Sequence, residues 1–190
     1  MRIKCESLKD ALKKAYDKYG EDEDIHIIGE DIRRRGYLGP HELLYIVAWK
    51  LPKSAIDDMG RKWAKIGRME IENIKKITSE AFKLADQGRI KEAVIKLREL
   101  PEVRVAVASA ILTFYNPNKY GVIDIYAWKA LYGEQRKSGS FKPEEYVRYL
   151  KDIREIAAKC YMTPRQVDLA LWYLGISCKL YPLKRKHSSC

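Results

Sequence analysis

The sequence offers little to a metal or an iron–sulfur centre. Its four cysteines, Cys5, Cys160, Cys178 and Cys190, are scattered, with no Cys-x-x-Cys pair, whereas cluster ligation gathers thiolates at short spacing. Reduced thiols of a structural or incidental kind are the expectation. The three histidines, His26, His41 and His187, lie too far apart in sequence to suggest a zinc site or a catalytic triad. Neither a metal nor a cofactor is therefore expected. No apolar run approaches the roughly 20 residues of a spanning helix, and the chain turns polar directly after Met1, so no signal peptide is read. A soluble, cytoplasmic protein without membrane contact is expected. Strand-type alternation is weak, and neither a repeat nor a low-complexity segment is visible. Amides are scarce (Asn73, Asn116, Asn118, Gln87, Gln135, Gln166) while Lys, Glu and Ile abound, a composition that points to a thermophilic source.

What is present is charge and helical periodicity. The 190 residues are 46% hydrophobic and 33% charged, a globular balance. The net charge of +11 favours polyanionic partners, because each phosphate neutralised by Lys or Arg releases a counterion. Nucleic acid is the expected partner class, and no obligate protein partner is evident.

Most segments carry a 3.6-residue apolar period, and the fold class expected is all-α. Leu8, Ala11, Leu12, Ala15, Tyr16 and Tyr19 share one face, with Ser7 placed to cap and Gly20 to stop that helix. The acidic stretch Glu21 to Asp24 suits a helix N-terminus or a loop. Pro40 opens a second helix. Further helices are read over Glu70–Asp86, Ile90–Leu100, Val103–Phe114, Ile123–Leu131, Pro143–Cys160 and Pro164–Leu174, with Asp124 as a cap and Gly175 as a stop. Arg165 and Asp168 fall where they can pair on a helix surface, and Arg148 and Arg154 add to a basic face. The last residues, 183–190, form a basic tail.

Two features bear on function. Between Leu51 and Met69 lie Lys53, Arg61, Lys62, Trp63, Lys65 and Arg68, cations with one aromatic, the mixture that contacts phosphates and stacks on bases. The same residues also suit a solvated loop with Trp63 tucked into the core. The second feature is Leu100-Pro101-Glu102-Val103-Arg104, then an Ala-rich apolar helix, then Val122-Ile123-Asp124 ahead of a new helix. In this order of parts the chain resembles the helix-hairpin-helix DNA glycosylases, over roughly residues 90–131.

Within that resemblance Pro101 and Val103 match the family's hairpin, Ala108 matches the small residue of the helix that follows, and Asp124 stands where the catalytic aspartate would. Ala106 occupies the position of the Schiff-base lysine of bifunctional members, and Glu102 and Arg104 replace both hairpin glycines. The resemblance implies a bundle of two packed lobes, about 20–120 and 1–19 plus 121–182, around a central helix-hairpin-helix. It further implies a monofunctional glycosylase that releases a damaged or mispaired base. Asp124 would stabilise the cationic sugar and help activate water. Arg104 would contact DNA beside the basic stretch, and Trp49, Trp63, Tyr126 and Trp128 are candidate walls for an extruded base. Asp124 read without the family pattern is a helix cap. The alternative function is a non-catalytic, nucleic-acid-binding helical protein of the same fold.

Overall fold

The computed structural model describes residues 4–51 and 64–180, with side chains to residue 177. Regular structure among the described residues is entirely helical. Lys53, Arg61, Lys62 and Trp63, and the basic tail at 183–190, lie outside the described residues.

Helix α1 (Cys5–Tyr19) buries Leu8, Ala11 and Ala15 and ends at Gly20. Its N-cap position is Lys4, ahead of Ser7, so Ser7 lies inside the helix instead of capping it. The acidic stretch resolves as the start of α2 (Glu23–Arg35), with Glu23 and Asp24 in the first turn and Arg33, Arg34 and Arg35 in the last. Both ends thus complement the helix dipole. Helix α3 (Pro40–Lys50) opens on its proline, and the Glu42 carboxylate accepts the Gly39 N–H at 2.8 Å and Arg35 at 2.5 Å. After a helical turn at 64–67 come α4 (Ile71–Asp86), α5 (Ile90–Leu97), α6 (Val105–Tyr115), α7 (Ile125–Tyr132), α8 (Pro143–Cys160) and α9 (Pro164–Leu180).

Helix α6 is the axis of the fold. Nine of its 11 residues are buried, so it has no solvent face and is packed around its circumference. Helices α2 and α3 lie against it, and α4, α5 and α8 touch it. Its Phe114 is fully buried, a burial that contributes about 1.5–3 kcal/mol. Helix α4 packs on α5, α5 reaches α8, and α9 gathers α1, α7 and α8. No helix among the described residues is long and apolar enough to cross a membrane.

Three expectations are corrected here. Helix α9 runs through Gly175 to Leu180. A Cβ at Gly175 would stand 2.2 Å from the Tyr126 carbonyl oxygen, so this glycine lets α9 press on the backbone of α7 and is no stop signal. Cys5 and Cys160 form a disulfide across 155 residues; they are distant in sequence, but packing sets the start of α1 beside the end of α8. Arg165 and Asp168 do pair, yet in the interior, at 7% and 2% exposure, because α9 is covered on several sides.

Candidate functional site

The segment after α6 places Asp124. The chain turns at Asn116–Pro117–Asn118, where the Asn116 side chain accepts the Asn118 N–H at 3.1 Å. The Tyr120 hydroxyl then donates to the Ala85 carbonyl at 3.0 Å. From there the extended backbone doubles back along α6, and the Ile123 N–H donates to Ser109 Oγ at 3.1 Å. Ser109 lies about one turn from the start of α6. Asp124 is therefore returned toward the end of α6 that carries the Pro101–Arg104 hairpin.

Buried polar groups hold this return. The Val122 N–H donates to Asp168 Oδ2 at 2.7 Å. The absence of a side chain at Gly121 is what admits Asp168, since a Cβ there would lie 2.8 Å from the same oxygen. The other Asp168 oxygen accepts Arg165 Nη1 at 2.5 Å. Arg165 also grips Asp22, ahead of α2, through Nε at 2.8 Å and Nη2 at 2.9 Å. Burial pushes the Asp168 carboxyl up to about 7, while Arg165 and the Val122 N–H favour its ionised form. Burial works against the Arg165 charge as well, but its two carboxylate partners outweigh that and raise its pKa.

Asp124 itself uses its two oxygens differently. One accepts the Tyr126 N–H at 2.8 Å and caps α7. The other faces Lys50 Nζ at 3.0 Å, in a pair whose side chains are 20% and 14% exposed. The cap was legible in the sequence. Lys50 was not: it stands 74 residues away, in the last turn of α3, where a lysine ordinarily needs no explanation beyond the helix dipole.

The aromatic residues divide. Trp49 is half-buried, edge-on to Phe114 with ring centres 5.3 Å apart, and the Arg165 guanidinium lies 5.4 Å from its ring centre. Tyr126 is half-buried two residues past Asp124. Trp128 is 2% exposed, with its indole N–H on Glu134 at 3.1 Å, so its place is in the core and it forms no pocket wall.

At the hairpin, Arg104 is exposed and precedes α6. Glu102 holds a left-handed φ of 63°, the region that a glycine would occupy without strain. Lys65 Nζ meets its carboxylate at 2.6 Å, so Lys65 is engaged with the protein at the spot where phosphate contact was expected. Arg68 is exposed. Glu102→Gly is expected to stabilise the fold by about 0.5–1 kcal/mol in urea denaturation, because relief of positive φ exceeds the worth of an exposed ion pair. A loss of stability in that variant would show that the Lys65 contact dominates.

Among the described residues no group of three or more His, Cys, Asp or Glu side chains could hold a metal ion. Comparison with protein families, curated proteins and solved structures finds no match to this chain.

Proposed function

We propose that this chain is a DNA-repair-type glycosylase that hydrolyses the N-glycosidic bond of a damaged or mispaired base. The observation that carries the reading is the Asp124–Lys50 pair: a carboxylate held by the Tyr126 N–H, partly open to solvent, with an amine at 3.0 Å. The bond to the base breaks with its electron pair leaving on the base nitrogen, which takes up a proton. The sugar gains positive charge, and the fixed Asp124 carboxylate opposes it. Water adds to the sugar carbon and gives its proton to the carboxylate. The exposed Arg104 and Arg68, with the net charge of +11, supply attraction to the phosphate backbone.

The same pair favours a second reading, in which Lys50 replaces water as the nucleophile. Its ammonium would pass a proton to Asp124, and the free amine would attack the sugar carbon and displace the base, which takes up a proton from solvent. Opening of the sugar ring with loss of the second nitrogen proton then gives an imine, from which the 3′ phosphate leaves by elimination and the strand is cut. This restores, from α3, an amine that Ala106 of α6 lacks.

Base release from duplexes carrying uracil, 8-oxoguanine, alkylated purines or mismatches, developed with hot alkali, tests both. Asp124→Asn is expected to lower release by about 10²–10³-fold while leaving the fold intact, because asparagine caps a helix as well as aspartate does. If Lys50 is the nucleophile, cutting occurs without alkali, borohydride traps a protein–DNA adduct, and Lys50→Gln abolishes both. If water is, Lys50→Gln retains release. Salt-sensitive DNA binding with no release from any duplex would leave the non-catalytic binder.

A further inference from the structure

The far end of α6 carries a concavity. A cleft of about 480 Å³ opens between the α4–α5 turn, residues 118–120, and the facing ends of α8 and α9. It is separate from Asp124: the chain leaves this end at Tyr120 and is already beside Ser109, about 10 Å along α6 from Asn116, at Ile123. Its volume is in the range of small-ligand sites, and it is broadly open to solvent.

The chemistry of the walls is divided. Ile90, Ala157 and Met162 supply an apolar floor, and Asp86, Lys119 and Arg154 the polar part. Asp86 is already committed: one oxygen accepts the Tyr115 hydroxyl at 2.6 Å, and the other lies 3.6 Å from Lys119 Nζ. Arg154 pairs with no carboxylate among the described residues. Its Nε donates to the Lys119 carbonyl at 2.7 Å, and its guanidinium lies 5.3 Å from the centre of the Tyr120 ring. Backbone and ring thus orient a cation, with a second cation beside it, over a floor that no charged group needs.

We propose that this cleft binds a nucleoside monophosphate, with the phosphate at Arg154 and Lys119 and the base on the apolar floor. With its Nε on the Lys119 carbonyl and one N–H beside the Tyr120 hydroxyl, the guanidinium keeps further N–H donors of the kind that meet phosphate oxygens. An inorganic anion would leave the floor uncovered, and a neutral nucleoside would leave Arg154 without an anionic partner. The phosphate comes from a free nucleotide or from the 5′ end of a strand, which share this chemistry. The inference does not depend on the role of Asp124.

Adenosine monophosphate, adenosine, inorganic phosphate and a 5′-phosphorylated dinucleotide are titrated into the full chain, followed by the methyl resonances of Ile90 and Met162 and by calorimetry. The monophosphate is expected to shift both methyls and to bind at least about tenfold more tightly than adenosine or phosphate. Arg154→Gln and Lys119→Gln, each with an unchanged melting temperature, are expected to weaken it by about tenfold or more. The dinucleotide binding more tightly than the monophosphate assigns the site to strand ends, and the reverse assigns it to free nucleotide. Absence of methyl shifts, equal affinity for phosphate alone, or binding that survives both substitutions would overturn the proposal.

Discussion

Replacing Arg165 by methionine is expected to cost about 3–5 kcal/mol of folding stability, the scale of removing one partner from a buried ion pair. The arginine reaches Asp22, 143 residues away, while holding Asp168, and methionine would keep much of its volume while leaving both carboxylates unmatched. Asp168, at 2% exposure, has no route to water short of local opening. The deficit is expected to depend on pH. The Asp168 carboxyl already lies above the ordinary carboxylate range in the folded protein, so its contribution is greatest below its unfolded pKa and is lost as pH rises through the folded one. Without Arg165 the folded value rises further, and the variant's deficit relative to the parent should grow from acid toward neutral pH. Urea denaturation across that range measures it. A loss under about 1 kcal/mol at neutral pH would mean that the cluster is not a buried ion pair in the energetic sense. Because Val122 hangs on Asp168, two residues before Asp124, any base release should fall in the same variant. Asp168→Asn, which keeps an acceptor for that N–H, should retain more of it.

Opening the Cys5–Cys160 bridge is expected to lower stability by about 4–5 kcal/mol. The bond closes a loop of 155 residues in sequence separation, and the chain-entropy cost of freeing so long a loop in the unfolded state is of that order. Replacement of both cysteines by alanine tests this without leaving a buried hydroxyl at 160, a position only 3% exposed. If the double variant and the parent unfold at the same urea concentration, the bridge is energetically idle and packing of α1 on α9 suffices. The bridge joins the head of α1 to the tail of α8, so its loss should appear first as faster exchange of α1 amides.

The two results probe ties of one kind, both made between parts of the chain that meet only on folding. Asp22 and Arg165 close α2 against α9, and Cys5 and Cys160 close α1 against α8. Between them sits the return segment whose geometry sets Asp124. The acid–amine pair is thus held by elements at both ends of the chain, and the stability of those elements bears directly on the chemistry proposed for it.

The sequence by itself determined the local structure. Pro143 and Cys160 bound α8 as read, Gly20 ends α1, and Asp124 caps α7, because prolines, caps and a 3.6-residue apolar period act within one or two turns of where they stand. The near-continuous apolar run in α6 likewise announced its burial. What only the tertiary structure decided are the meetings across 74, 143 and 155 residues: Lys50 with Asp124, Arg165 with Asp22, Cys5 with Cys160. The passage of α9 through Gly175 and the burial of Trp128 belong to the same class. Periodicity tells which face of a helix is apolar but not which helix covers it. A lysine in a last turn, an arginine three residues from an aspartate and a lone cysteine read alike whether solvent or another helix lies opposite, and the packing alone distinguishes them.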